Sequence, residues 1–206
     1  MILRNFSTFF VTVIIASLLV ACGGGDDGNV RESDLVDMSL GPADSPMVLI
    51  EYASTTCGAC GNYHKNMSET IKQLAAEGKL RFIFREFPRD PVDIAAFVTA
   101  RCAGPDKYFD VLDDMFSSQQ GLFASMRNNT ARASLQTIAQ RHGVDAAKFE
   151  ACLNDETIRE QIENAREFGI ANGVGSTPTL FFNGVMLVGT EAHSPESLMS
   201  LMDGTP

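Results

Sequence analysis

Met47-Val48-Leu49-Ile50-Glu51-Tyr52-Ala53-Ser54-Thr55-Thr56-Cys57-Gly58-Ala59-Cys60 is the stretch on which the fold turns. Met47 to Ala53 is a short apolar run bounded by Pro46 and by the polar Ser54-Thr55-Thr56, the length of one buried strand. Beyond it the period changes. Tyr63, Met67, Ile71 and Leu74 recur at spacings of four, four and three, which predicts a helix with Gly78 at its C-terminal cap. Leu80, Phe82 and Phe84 then alternate with Lys79 and Arg81, so a second strand is predicted up to Phe87-Pro88. Strand, helix, strand implies parallel pairing through a right-handed crossover, hence an α/β sheet with helices on its faces.

Outward from this unit, about 91–172 contains no strand candidate. Its apolar positions fall in helical stretches broken at Gly104-Pro105 and Gly143, and a last long helix is predicted from Asp155 towards Asn172-Gly173. Strands then resume: Thr179 to Phe182, Asn183-Gly184, and Val185 to Val188 read as a hairpin, because Asn-Gly supplies the positive φ angles of a type I′ turn. Ser194-Pro195-Glu196 opens a final helix.

The chemistry sits at Cys57-Gly58-Ala59-Cys60. A Cys-x-x-Cys between a strand and a helix puts its first sulfur at the helix N-terminus, where unpaired N–H groups and the helix dipole favour a thiolate. Cys57 is therefore read as the exposed nucleophile. Cys60, one turn on, closes the small disulfide ring and resolves mixed disulfides. Gly58 and Ala59 bring no charge or imidazole, which leaves only backbone donors to lower the Cys57 pKa and predicts a milder oxidant. Zinc is the other use of such a pair, with His64 one turn beyond Cys60 as a third ligand; no fourth ligand is evident, so no metal is assigned.

Strand, Cys-x-x-Cys, helix, strand, helical insertion and Thr177-Pro178-Thr179 before a hairpin together resemble the DsbA-like branch of the thioredoxin fold, over about residues 46–206. The resemblance implies a central mixed sheet flanked by helices, with the all-helical insertion at about 91–172. It implies that Pro178 is cis and faces Cys57, and that Thr177 and Pro178 offer backbone groups to an extended substrate peptide. It makes Glu51, six residues before Cys57, the acid beneath the site that relays a proton for Cys60. Read without the resemblance, Thr177-Pro178 is also compatible with a trans loop proline, and Glu51 with a solvated strand-edge charge. The dipeptide departs from the Pro-His of the best-known oxidase. The activity implied is a thiol-disulfide oxidoreductase without a cofactor that acts on reduced or misoxidised exported proteins. A quinone-linked, DsbB-like membrane partner would reoxidise it; reduction or isomerisation, fed by a membrane electron donor, is the alternative direction. A metal-binding lipoprotein is the non-enzymatic rival.

Cys102 and Cys152 lie on predicted helices of the insertion with 49 residues between them, and we pair them as a structural disulfide. Two buried free thiols, or a second regulatory couple, are the other readings. At the N-terminus, Phe6 to Val20 is an apolar run too short for a membrane span and of secretory length. It ends at Leu19-Val20-Ala21-Cys22, which resembles the lipobox of bacterial lipoproteins. This predicts a signal peptide over 1–21, lipidation at Cys22 and a flexible tether over 22–45, rich in Gly and Asp, that leads into the domain at 46–206. An ordinary cleavable signal or an uncleaved anchor remains open; each exports the domain. The expected setting is the periplasm of a Gram-negative bacterium, membrane-anchored and monomeric.

Composition limits the alternatives. With 16 Lys and Arg against 26 Asp and Glu among 206 residues, the formal net charge is −10, and no basic stripe is present. Nucleic-acid binding is thereby disfavoured.

Overall fold

A computed structural model describes residues 30–204. The predicted signal peptide, Cys22 and the first part of the predicted tether lie outside the described residues. The sheet contains β1 (Met38–Leu40), β2 (Val48–Ala53), β3 (Arg81–Glu86), β4 (Thr179–Phe182) and β5 (Val185–Met186), in the order β1-β3-β2-β4-β5. β2 and β3 are parallel, Leu49 opposite Phe82 and Glu51 opposite Phe84, and the other pairs are antiparallel. The crossover between β2 and β3 is α1 (Gly58–Ala76), which buries Cys60, Tyr63, Met67, Ile71 and Leu74 along one stripe. This is the mixed, helix-flanked sheet of the thioredoxin fold.

The strand period assigns β2 its two duties. Leu49, Glu51 and Ala53 point to the α1 face, while Ile50 and Tyr52 point to the other. Leu49 and Ala53 belong to the main core with Met67, Phe84, Phe97 and Met115, whereas Tyr52 packs with Phe87 and Val174. Glu51 is thus a carboxyl set in an apolar row, 5% exposed.

The insertion is six helices: α2 (Pro91–Cys102), α3 (Pro105–Ser117), α4 (Gln119–Arg127), α5 (Ala131–Arg141), α6 (Ala146–Leu153) and α7 (Glu156–Ala171). Asp90 caps α2 and Asp155 caps α7, each accepting hydrogen bonds from two backbone N–H groups of the first turn. A disulfide joins Cys102 at the end of α2 to Cys152 in α6, with their Cα atoms 5.9 Å apart. α8 (Pro195–Asp203) closes the chain and is capped by Ser194.

Two boundaries differ from the sequence reading. The predicted tether, 22–45, runs into the folded body: Met38, Ser39 and Leu40 pair with Phe84, Ile83 and Phe82 as an edge strand. Ahead of it, Asp37 and Glu32 hold the buried Arg85 guanidinium, and the Val36 carbonyl accepts from Arg101. A three-residue strand is too short to show a period. Its ionic partners stand about fifty residues downstream, so composition alone reads it as linker. The second hairpin strand is also shorter, ending at Met186 rather than Val188. It sits at the sheet edge with Val185 and Val188 exposed; only Leu187 packs on the core and donates to the Leu180 carbonyl. The turn itself has the predicted positive φ at Asn183 (47°) and Gly184 (79°).

The Cys102–Cys152 bond closes a loop of sequence separation 50. On the chain-entropy relation that is about 4 kcal/mol of stability. A Cys102→Ala/Cys152→Ala variant should unfold in urea with a free energy lower by about that amount while Cys57 reactivity persists. A loss below about 1 kcal/mol would show that helix packing, not the bond, secures the insertion.

Candidate active site

Cys57 occupies the N-cap of α1 with extended backbone (φ −103°, ψ 117°), so the helix begins immediately beyond its sulfur. The N–H groups of Ala59 and Cys60 at the helix start favour charge on that sulfur, and the Cys60 thiol favours it further from one turn on. Opposite stands the loop before β4, where the Thr177–Pro178 peptide bond is cis and the Thr177 carbonyl lies 3.3 Å from the Cys57 sulfur. The Thr177 hydroxyl is buried without a hydrogen-bond partner, and Thr177 favours charge on the same sulfur. Cys57, Cys60, Thr177 and Pro178 therefore form one site at the meeting of β2, α1 and β4. Thr177 and Pro178 are half-buried, and Gly58 and Ala59 are exposed above the sulfurs.

The electrostatics split the two thiols. The Cys60 thiol hydrogen bond is the largest influence on Cys57; with Thr177 and the backbone N–H groups it outweighs burial and lowers the Cys57 pKa to about 4. Cys60 moves the opposite way, raised first by donating to Cys57, then by burial and by the neighbouring Glu51. Glu51 is pushed up to about 8, chiefly by burial and secondly by the Cys57 charge. At neutral pH the reduced site holds one thiolate, one thiol and one largely protonated carboxyl. Such a trio can receive a substrate sulfur at Cys57 while a proton shuttles between Cys60 and Glu51.

This geometry revises two sequence expectations. Cys57 is buried, 5% exposed, rather than an exposed nucleophile, because the cis-proline loop roofs it. Backbone donors are not its main stabilisation; a side-chain thiol supplies that. His64 shares the helix with the cysteines but turns away, with its ring stacked on Phe116 at 4.7 Å and Nε2 3.1 Å from Asp113 Oδ1. It is not brought to the cysteine pair, and the described residues contain no cluster of three metal-ligating side chains.

Several supporting residues escape the sequence reading. Gln119, at the start of α4, donates from Nε2 to the carbonyls of Thr55 (2.8 Å) and Cys57 (2.9 Å), clamping the strand-to-helix turn from the insertion. Its partner surface explains Gly61: a Cβ there would stand 2.3 Å from the Gln119 Oε1. Asp93, fully buried in α2, accepts from the Thr55 N–H and hydroxyl. These contacts span 38 to 64 residues and leave no local signature.

A dithiol at a helix N-terminus, faced by a cis-proline on a thioredoxin-type sheet, is the arrangement that thiol-disulfide exchange requires. The sequence profile of the family described as Thioredoxin matches residues 33–204. A Rickettsia bellii relative named as a protein-disulfide oxidoreductase is 34% identical over 169 residues, covering 81% of this chain and 63% of its own length. The crystal structure of Wolbachia pipientis alpha-DsbA1 superposes with a TM-score of 0.74 at 28% identity, covering 82% of this chain and 89% of that one. A protein-disulfide isomerase from Novosphingobium aromaticivorans shares the fold, with a TM-score of 0.71 at 20% identity and coverage of 81% and 97%. The chain belongs to the DsbA-like branch of the thioredoxin family. It spans just over 60% of the Rickettsia bellii relative's length.

Iodoacetamide alkylation of the reduced protein should be faster at Cys57 than at Cys60, with the rate of Cys57 modification following a titration near pH 4. A midpoint close to 9, the ordinary thiol value, would contradict the hydrogen-bonded thiolate. In the oxidised protein the cysteines no longer titrate, which isolates Glu51. A carboxyl whose folded pKa lies above its unfolded value stabilises fully below the unfolded value, and that stability is lost as pH rises to the folded one. Urea unfolding of the oxidised protein should therefore weaken as pH rises from about 4.5 towards the folded Glu51 value, which burial alone keeps raised but which lies below the 8 of the reduced site once the Cys57 charge is gone, and Glu51→Gln should remove that slope.

Proposed function

We propose that this protein is a thiol-disulfide oxidoreductase of the bacterial envelope that works as an oxidase, passing the Cys57–Cys60 disulfide to reduced exported proteins. The supporting observation is the stabilised Cys57 thiolate. A pKa of about 4 favours the reduced pair, and a couple whose reduced form is favoured gives up its disulfide readily. On this reading the protein is a stronger oxidant than the Gly58-Ala59 dipeptide alone suggests.

The substrate thiolate attacks Cys57 beside Thr177 and Pro178, where an extended peptide would pair with the backbone of that loop. A second substrate thiol then displaces Cys57 as thiolate, so two electrons have moved from substrate to enzyme. A quinone-linked membrane partner fits the need to restore the Cys57–Cys60 bond. A second disulfide at Cys102–Cys152 accords with an oxidising compartment. Lipidation at Cys22, with membrane anchoring in the periplasm of a Gram-negative cell, is the sequence-based part of this reading. Among the described residues no helix is long and apolar enough to cross a membrane.

The deciding measurement is the Cys57/Cys60 reduction potential, expected nearer about −120 mV than about −270 mV. Oxidative refolding of a reduced, disulfide-containing test protein should proceed with the wild type and stop with Cys57→Ser. A potential at the reducing end, together with insulin reduction and no oxidative refolding, would reverse the assigned direction.

A further inference from the structure

Between α1, α3 and the sheet lies a small cavity lined by the buried Glu51 and Tyr63 at its inner end and by His64, Lys72 and Asp113 at its outer end, with apolar side chains of the sheet and α3 making up most of the remainder. Its free volume for water is about 20 Å³, above the roughly 10–15 Å³ that one water requires. The inner end is sealed, since Glu51 and Tyr63 are 5% and 4% exposed. The outer end is wet: His64, Lys72 and Asp113 are each between about a fifth and a third exposed, and the His64 ring and the Lys72 ammonium both contact the Asp113 carboxylate.

Tyr63 is the anomaly in this arrangement. Its ring is ordinary core on the α1 stripe, but its hydroxyl is buried with no hydrogen-bond partner in the protein. A buried phenol O–H left unpaired is costly and rare. It lines the cavity that also holds Glu51, and the two groups feel each other electrostatically. The remaining groups around Glu51 are Cys57 and Cys60 from the start of α1, with apolar Phe84 of β3 and Leu180 of β4 flanking it in the sheet. The polar way out from the carboxyl that the cavity offers therefore passes Tyr63.

We infer that Tyr63 is a positioning residue for proton transfer, its hydroxyl ordering a cavity water that connects Glu51 to the Asp113–His64–Lys72 cluster at the surface. This rests on the disulfide-exchange reading and adds the route by which Glu51 is recharged. When a substrate thiolate attacks Cys57, its sulfur bonds to the Cys57 sulfur, the Cys57–Cys60 bond breaks and its electron pair leaves on Cys60. The Glu51 carboxyl protonates that thiolate and becomes a carboxylate in an apolar row. It must regain a proton before the next cycle, and bulk water cannot reach it directly. The Tyr63-ordered water delivers one from the outer cluster, and in the reverse direction the same path removes one.

Tyr63→Phe keeps the ring and deletes only the hydroxyl. Oxidised protein is mixed with reduced glutathione, quenched at intervals and alkylated, and the mixed disulfide and free Cys60 are counted by mass spectrometry across pH 5–9, in H2O and D2O. The variant should retain the wild-type melting temperature within a few degrees and the same Cys57 alkylation midpoint. At the alkaline end of that range, where Glu51 starts as a carboxylate and must be recharged from outside before it can serve Cys60, the variant should yield free Cys60 roughly tenfold more slowly and show an altered solvent isotope effect. The loss is smaller than the ~10²–10⁴ of a whole proton-transfer group, because water entering the vacated space still conducts. Asp113→Asn, which disperses the outer cluster without touching the core, should give a milder slowing with the same isotope signature. A Tyr63→Phe protein with wild-type rates, pH profile and isotope effect would overturn the inference while leaving the exchange activity intact. A wild type that forms no mixed disulfide with glutathione would instead remove the exchange reading on which it rests.

Discussion

The hydrogen bond from the Cys60 thiol to the Cys57 sulfur is the constraint on which the site depends. It exists because α1 begins at Cys57, so that a residue three positions on returns to the same side of the helix with its sulfur aimed back at the first. One bond then does two opposite things. It lowers the pKa of the acceptor and raises that of the donor, and burial of the donor reinforces the second effect. The two cysteines are chemically unlike although the sequence presents them as a pair.

Everything nearby keeps that bond in place. The strand-to-helix turn is anchored from the helical insertion, through Gln119 on the Thr55 and Cys57 carbonyls and Asp93 on Thr55. On the other side, next to the cis Thr177–Pro178 bond, the Thr177 carbonyl stands against Cys57. The insertion is therefore more than a lid. It grips the backbone that aims the nucleophile, and its own rigidity draws on the Cys102–Cys152 bond and on the buried Arg101–Glu86 ion pair that ties α2 to β3.

Glu51 illustrates how the fold converts an energetic liability into a chemical group. Its neighbours on the same strand face, Leu49 and Ala53, are core residues, and a carboxyl in that row can stay only by holding a proton over much of the neutral range. Placed beneath two sulfurs, one of which gains or loses a proton whenever the disulfide opens or closes, the same carboxyl becomes an internal proton store. The unpaired Tyr63 hydroxyl beside it lies in the same cavity and has the same requirement for a polar companion.

By itself the sequence determined the β-α-β unit, the Cys57–Cys60 spacing at a helix start, the helical character of 91–172 and the Asn183–Gly184 turn. Each is written in local period or local backbone preference, which neighbouring residues carry among themselves. Only the tertiary structure decided that residues 38–40 complete the sheet and that Gln119 clamps the turn. It also decided that Cys57 is roofed over, that His64 faces Asp113 instead of the sulfurs, and that the Tyr63 hydroxyl opens on the Glu51 cavity. Those facts arise between segments tens of residues apart. A contact of that kind costs chain entropy to form and is held by packing from all sides, so no short window of sequence contains it.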